Sequence, residues 1–235
     1  MIINIRPDIA FAVSRLTQYT IKLNSQCWAA LKRLIRYLKG IHTKGIIYGA
    51  QPNLAITDDD AACYIKGYTD SDWAGDISTC KSTSGYLFLG AEALIAWGSN
   101  KQLIVVLFIC EAEYVTASDA SREVTWLRNL LAEIDLFGAP VISLSQSHEP
   151  NYIFPIPMAV NNQGAIALVT LKSQNRRTRH INVRYYYIRD SIESGIIVPH
   201  YTPISEMLVN GFIKALNRLK FVTFVSSIGM RDSMA

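Results

Sequence analysis

Apolar residues in the first fifty positions recur at helical spacing, and then the period changes. Ile9, Val13, Leu16 and Tyr19 follow Pro7 at intervals of three and four, and Trp28, Leu31, Leu34, Ile35 and Leu38 repeat the pattern up to Gly40. Each set falls on one face of a helix, so residues 1–50 are expected to form a helical hairpin. Residues 51–61, with Pro52 and the run Asp58-Asp59-Asp60, read as a polar connector. From Tyr64 the short runs are β-branched and aromatic: Tyr64 to Thr69, Tyr86 to Leu89, Leu94 to Trp97, and the apolar run Leu103 to Ile109. They predict an antiparallel meander with turns at Gly75, Gly90 and Ser99-Asn100.

A long helix is expected between Glu111 and Leu136. Glu113, Ala117, Ala120, Val124, Leu127 and Leu131 are spaced by four, three, four, three and four, so they share a face. Glu113 opens an otherwise apolar stripe, while Glu111 lies about 200° away around the axis. Both acids suit the positive end of the helix dipole, so a capping role and a site role for Glu113 stay open at this point. Beyond a loop with Pro140, Pro150, Pro155 and Pro157, a strand is expected at Ile156–Val160. Asn161-Asn162-Gln163-Gly164 then opens a helical stretch to Thr170. A helix from Val183 to Ser194, a strand from Ile196 to Tyr201 and a last helix beginning at Ser205 complete the order.

Composition adds limits. The chain has 235 residues, half of them apolar, which suffices for one sizeable domain and a smaller element. The longest apolar run is short and Arg6 and Asp8 follow Met1 closely, so neither a transmembrane helix nor a signal peptide is expected, and an intracellular site is, with cytoplasm or nucleus left open. Cys27, Cys63, Cys80 and Cys110 lack metal-ligand spacing and are expected to be buried thiols. A net charge of +4 and a pI near 8.8 lean toward an anionic partner such as nucleic acid. Two basic groups could serve it: Lys32, Arg36 and Lys39 in a stripe on the second helix with Arg33 beside it, and the cluster Arg176-Arg177-Thr178-Arg179-His180. A solvated helix face is the competing reading of the stripe.

The candidate chemistry centres on Gly67 to Tyr86. Asp70 falls where the first strand is expected to end, with Asp72 and Asp76 in the turn-forming residues behind it. A carboxylate there can hold a metal if partner carboxylates exist, and is otherwise a turn former.

Many motifs taken together carry a resemblance. They are Arg6-Pro7-Asp8-Ile9-Ala10-Phe11-Ala12-Val13-Ser14-Arg15-Leu16, Trp28-Ala29-Ala30-Leu31-Lys32-Arg33 with Arg36-Tyr37-Leu38-Lys39-Gly40, the Gly67–Tyr86 stretch, Cys110-Glu111-Ala112-Glu113-Tyr114, Asn162-Gln163-Gly164-Ala165-Ile166-Ala167-Leu168, Arg177-Thr178-Arg179-His180-Ile181, Arg184-Tyr185 with Ile188-Arg189-Asp190, and Glu206-Met207-Leu208. In this order they resemble the end of the reverse transcriptase and the ribonuclease H domain of copia-type LTR retrotransposon Pol polyproteins. The resemblance implies an α/β fold, a ribonuclease H-like five-stranded mixed sheet flanked by helices and preceded by the helical hairpin. It divides the chain into a reverse-transcriptase remnant (1–50), the connector (51–61), a ribonuclease H-like domain (62–215) and a tail (216–235). The remnant lacks the polymerase's palm and metal motif, so polymerase activity is not expected.

The resemblance also implies a site of four carboxylates holding two Mg²⁺ ions that cleave the RNA strand of an RNA/DNA hybrid. Asp70 and Glu113 match two of the four. Asn161 and Asn210 stand where the other two acids belong, Phe108 and Ile109 replace small hydroxyl residues, and Ile213 replaces a Thr. Loss of two negative charges predicts a catalytically degenerate domain. Two alternatives remain: a weakly active RNA/DNA-hybrid ribonuclease in which Asp70, Glu113 and Asp72 hold one metal, and a non-catalytic nucleic-acid-binding module using Lys32, Arg36, Arg176, Arg177, Arg179 and His180. The partners implied are an RNA/DNA hybrid or other nucleic acid and the rest of a Pol polyprotein, and no membrane.

Overall fold

The computed structural model describes residues 5–21, 23–48, 65–134, 155–170 and 182–232. The connector, the three-Asp run, Cys63 and the basic cluster Arg176, Arg177, Arg179 and His180 lie outside the described residues. Pro7 starts a 3₁₀ turn that runs into helix α1 (Ala10–Thr17), and α2 (Ser25–Gly40) ends at the expected glycine. Asn24 caps α2, its side-chain oxygen accepting from Cys27 N at 2.8 Å. The hairpin is fixed from within by Asp8, which is buried and accepts from Arg6 Nε at 2.9 Å, Arg6 Nη2 at 2.7 Å and the Tyr37 hydroxyl at 2.8 Å. A short strand, β1 (Lys44–Ile46), leaves it.

Strands β2 (Ile65–Asp76), β3 (Lys81–Gly90), β4 (Ala93–Lys101), β5 (Ile156–Val160) and β6 (Ile197–Tyr201) form one sheet in the order β4-β3-β2-β5-β6. The first three pair antiparallel, whereas β5 runs parallel to both β2 and β6. This is the mixed sheet that the sequence implied. Helix α3 (Ile109–Ile134) connects β4 to β5, and α4 (Gln163–Thr170) and α5 (Asn182–Glu193) connect β5 to β6. The predicted stripe of α3 is buried from Glu113 through Leu127 and packs with Phe88, Ile156, Met158 and Ile188. A polar anchor holds its N-terminal part: Gln102 Nε2 donates to Ser84 Oγ at 3.0 Å and to Ala112 O at 2.9 Å, and Thr116 Oγ1 bonds Ser84 Oγ at 2.8 Å.

The other sheet face carries a second core. Leu87, Leu94 and Ala159 pack there against Ala10 of α1, Phe212 of α6 (Asn210–Ile213), and Phe224 and Val225 of α7 (Arg218–Ser227). The last strand, β7 (Met230–Asp232), pairs antiparallel with β1, setting Ile46 opposite Met230 and Lys44 opposite Asp232. Phe221 also lies edge-on to Tyr37 of α2 at 5.6 Å. Residues 217–232 are therefore part of the packed body, and they close it over the N-terminal hairpin.

Several expectations are corrected. β2 continues through Asp70 to Asp76, so Asp70 sits within the strand, and the turn falls at 77–80 in place of Gly75. Asp76 fixes that turn by accepting from Ser78 Oγ at 2.8 Å, Thr79 Oγ1 at 2.6 Å and Lys101 Nζ, which together hold its carboxyl well below the usual carboxylate range. β4 runs through Ser99-Asn100 because these residues pair with Gly85 and Ser84. Leu103–Ile109 begins no strand: only Val106 is buried, and Leu103 and Leu107 are exposed. A continuous apolar run reads alike for a strand or a loop, and period alone could not separate them. No helix starts at Ser205, where turns lead instead into the short α6. Of the cysteines, Cys27 is buried, Cys110 is half-buried, and Cys80 is exposed in the 77–80 turn with φ +53°.

Phe224 touches Phe212 at 5.3 Å and Phe221 at 6.3 Å and is 5% exposed. Its replacement by alanine is expected to cost about 3–5 kcal/mol in urea unfolding, the range for a truncated core aromatic. A change below about 1 kcal/mol would mean that the tail is not part of the cooperative fold.

Candidate active site

Register brings the first two site residues together. Val160 of β5 pairs with Thr69 of β2, so the next residues along the two parallel strands, Asn161 and Asp70, stand side by side. Asp70 shares its sheet face with Tyr68 of the second core, because alternate residues of a strand point the same way. Opposite it on β3 is Gly85, where a Cβ would come within 2.5 Å of Ile213 Cγ2 and 3.2 Å of Phe212 Cβ and Val209 Cγ2. Only glycine lets α6 lie this close to the strand. Lys214 follows α6 directly, and its ammonium acts on Asp70 electrostatically.

Glu113 enters from the start of the second turn of α3. Glu111 takes the capping role, accepting from Leu107 N at 3.1 Å, which leaves Glu113 to face the strand ends. Two asparagines receive it. Asn162 Nδ2 donates to Glu113 Oε1 at 3.3 Å, while its own oxygen accepts from Ala165 N at 3.1 Å and caps α4. The groups around Asn161 orient its amide with nitrogen toward the acid, where it donates to Glu113 Oε2 at 3.1 Å and Oε1 at 3.3 Å.

The two acids are buried, at 3% and 4% exposure, and that dominates their electrostatics. Burial pushes Asp70 up to about 6, partly offset by the Ser71 amide at 2.7 Å and by Lys214. Burial and the neighbouring Asp70 charge push Glu113 up to about 7, with Asn162 pulling the other way. They form a coupled pair that holds a proton near neutrality.

A pair of hard divalent ions calls for converging anionic oxygens. The side chains here supply two carboxylates, and amide N–H groups occupy hydrogen-bonding positions on one of them. Among the described residues no three His, Cys, Asp or Glu side chains come together to hold a metal. The residues present do not fit a two-metal centre.

Asp72 takes another partner, accepting from Thr83 N, and the Arg15 charge on α1 acts on it favourably. Asn210 donates to Met207 O at 2.8 Å and Ile204 O at 3.3 Å, its own oxygen is buried without a partner, and no hydrogen bond links it to Asp70 or Glu113 among the described residues. Lys32 and Arg36 lie on the exposed face of α2. The sequence reading missed Asn162, Gly85 and Lys214. Asn162 could have been found from the strand-to-helix junction, where an Asn is a natural cap, whereas Gly85 and Lys214 gain their roles only through the approach of α6.

Comparison with known proteins gives a consistent result. The chain is 31% identical over 228 residues to the retrovirus-related Pol polyprotein of transposon TNT 1-94 from Nicotiana tabacum, covering 97% of this chain and 15% of that protein. Against the Pol polyproteins of transposons RE2 and RE1 from Arabidopsis thaliana it is 32% and 33% identical, over 96% of this chain and 14% of each. The chain thus spans about a seventh of the length of these relatives. No protein-family model matches. Among solved structures, a ribonuclease H1 isolated from compost aligns with 12% identity and a TM-score of 0.41, covering 63% of this chain and 91% of that one. An N-terminal ribonuclease H domain from Mycobacterium tuberculosis aligns with 7% identity and a TM-score of 0.42, covering 69% and 98%. These likenesses are distant, and the fold rests on the sheet order itself.

The raised acid pair sets a pH dependence. Below about pH 3 both acids are protonated folded and unfolded, and they contribute nothing. Between about pH 4 and 7 the unfolded chain releases these protons while the folded chain keeps them, so stability falls as pH rises, by ~1.4 kcal/mol per pH unit for each proton the fold retains. Urea unfolding is expected to show this decline without divalent ions, and Asp70→Asn, which removes one acid and its repulsion on Glu113, is expected to flatten it. Equal slopes for parent and variant would rule the pair out as its source.

Proposed function

We propose, for a chain that belongs to the copia-type retrotransposon Pol family as its ribonuclease H-like domain, that the fold has outlived the hydrolysis. The observation that carries this reading is the pair of asparagine amides on Glu113. An amide N–H satisfies a carboxylate oxygen that a metal would otherwise need, and it adds no negative charge to hold one. Asn161 and Asn162 thereby tie the ends of β5 and α4 to α3, so the former site works as a structural joint. The ancestral substrate is the RNA strand of an RNA/DNA hybrid, and nucleic acid remains the proposed partner, with the rest of a Pol polyprotein as its proposed context.

A second reading, a weakly active ribonuclease with one metal, is supported by the proximity of Asp70 and Glu113. Their protons leave near neutrality, and a single divalent ion could then compete with the Asn161 amide. Asp72, engaged by Thr83, is a poor third ligand. Among the described residues no helix is long and apolar enough to cross a membrane.

Cleavage of a labelled RNA/DNA hybrid, measured with Mg²⁺ and with Mn²⁺, tests both readings. The unmodified chain is expected to cleave no faster than Asp70→Asn. The double variant Asn161→Asp, Asn210→Asp is expected to exceed both by at least about tenfold, equivalent to ~1.4 kcal/mol of barrier. Cleavage by the unmodified chain above the Asp70→Asn background overturns the degenerate reading, and if confined to Mn²⁺ it favours the single-metal one. The mass of each sample is checked first, because deamidation at Asn210-Gly211 would restore an acid.

A further inference from the structure

We infer that the exposed face of α2 is a docking site for single-stranded nucleic acid, with a base stacked on Trp28 and flanking phosphates held by Lys32, Arg33 and Arg36. This goes beyond the hydrolytic site and uses none of its residues. A shallow groove of about 310 Å³ opens on this face, lined by Ser25, Trp28, Ala29, Lys32, Arg33 and Arg36. Trp28 is 53% exposed, and Lys32 Nζ sits 5.4 Å from its ring centroid.

The spacing orders these groups. Trp28, Lys32 and Arg36 are four residues apart, so they form one ridge along the helix, with Arg33 on the next ridge behind Ala29. Successive cations on the ridge are about 6 Å apart along the axis. Such a ridge presents a π face followed by fixed positive charges, the two elements that sequence-tolerant single-strand sites combine.

The charge has no counterpart within the hairpin. α2 contains no acid, and Asp8, the sole acid among residues 5–48, is consumed by Arg6 and Tyr37. Among the described residues, Lys32, Arg33, Arg36 and Lys39 enter no ion pair. The inward face of α2 is meanwhile fixed by Cys27 and Tyr37, so the helix keeps its outer face for another molecule. A membrane-bound helix needs a broad apolar face. Here the two large exposed apolar side chains, Trp28 and Ile35, lie on one narrow strip, bounded on one side by the half-buried Leu31, Leu34 and Leu38 and on the other by the exposed Lys32, Arg36 and Lys39. The pattern favours a flexible polyanion that also carries rings.

Fluorescence anisotropy of a labelled oligothymidylate, in EDTA and across a salt series, tests this with the whole chain. EDTA removes any contribution from divalent ions, so failure here is distinct from failure of the hydrolysis assay. Trp28→Ala is expected to weaken binding about 5- to 100-fold with an unchanged salt slope, and Trp28→Phe to recover part of it. Lys32→Gln with Arg36→Gln is expected to weaken binding at low salt and reduce the log–log slope by about 1.4, two single-strand contacts. All the substituted positions are on the outer face, and circular dichroism with urea unfolding verifies that each variant folds as the parent does. The inference is overturned if the parent does not bind, if neither variant differs from it, or if Arg218→Gln with Lys220→Gln on α7 weakens binding as much. It is equally overturned if the chain binds vesicles of equal parts phosphatidylserine and phosphatidylcholine more tightly than the oligonucleotide and through Trp28.

Discussion

Everything in this molecule answers to the position of β2. It pairs antiparallel on one side and parallel on the other, and both of its faces are covered, one by α3 and the other by α1, α6 and α7. A strand so enclosed cannot keep a carboxylate in bulk water. Asp70 is buried because β2 is central, and its proton affinity rises because the charge has lost its solvent. The same enclosure holds Glu113 against it, since the Gln102–Ser84–Thr116 anchor fixes the N-terminal part of α3 over the sheet.

How the protein accommodates two neighbouring buried acids differs from what a metal centre requires. Asn161 and Asn162 donate to Glu113, Ser71 donates to Asp70, and Lys214 adds a positive charge nearby. Each contact is modest, yet together they satisfy groups that would otherwise be costly to bury. Repulsion remains, and it shows in Glu113, which Asp70 raises in addition to burial. The site is two neighbouring buried acids held by neutral hydrogen-bond donors and one nearby cation.

Much of this was legible in the sequence. The α3 stripe was marked by its four-three spacing, and Glu113 stood out as a charge on an apolar face, which the structure buries as expected. The sheet order followed from the resemblance to a known domain, since local patterns specify strands but not which strands become neighbours. What stayed hidden depended on distant contacts. The length of β2 is decided by pairing with β3 and by the Asp76 turn, so the glycine at position 75 was a misleading signal. Leu103–Ile109 had strand composition with no strand beside it to pair with. α6 is too short for any period to announce, and it acquires its place through the missing side chain at Gly85.

The pairing of β1 with β7 has a consequence for how the chain reaches this state. The two strands come from opposite ends of the described sequence, and α7, packed on the second core, immediately precedes β7. Loop closure over such a separation is slow, and during synthesis the N-terminal hairpin emerges from the ribosome long before its covering segment exists. Until then its apolar inner face has no cover, and the nascent chain carries an exposed surface of the kind that chaperones hold.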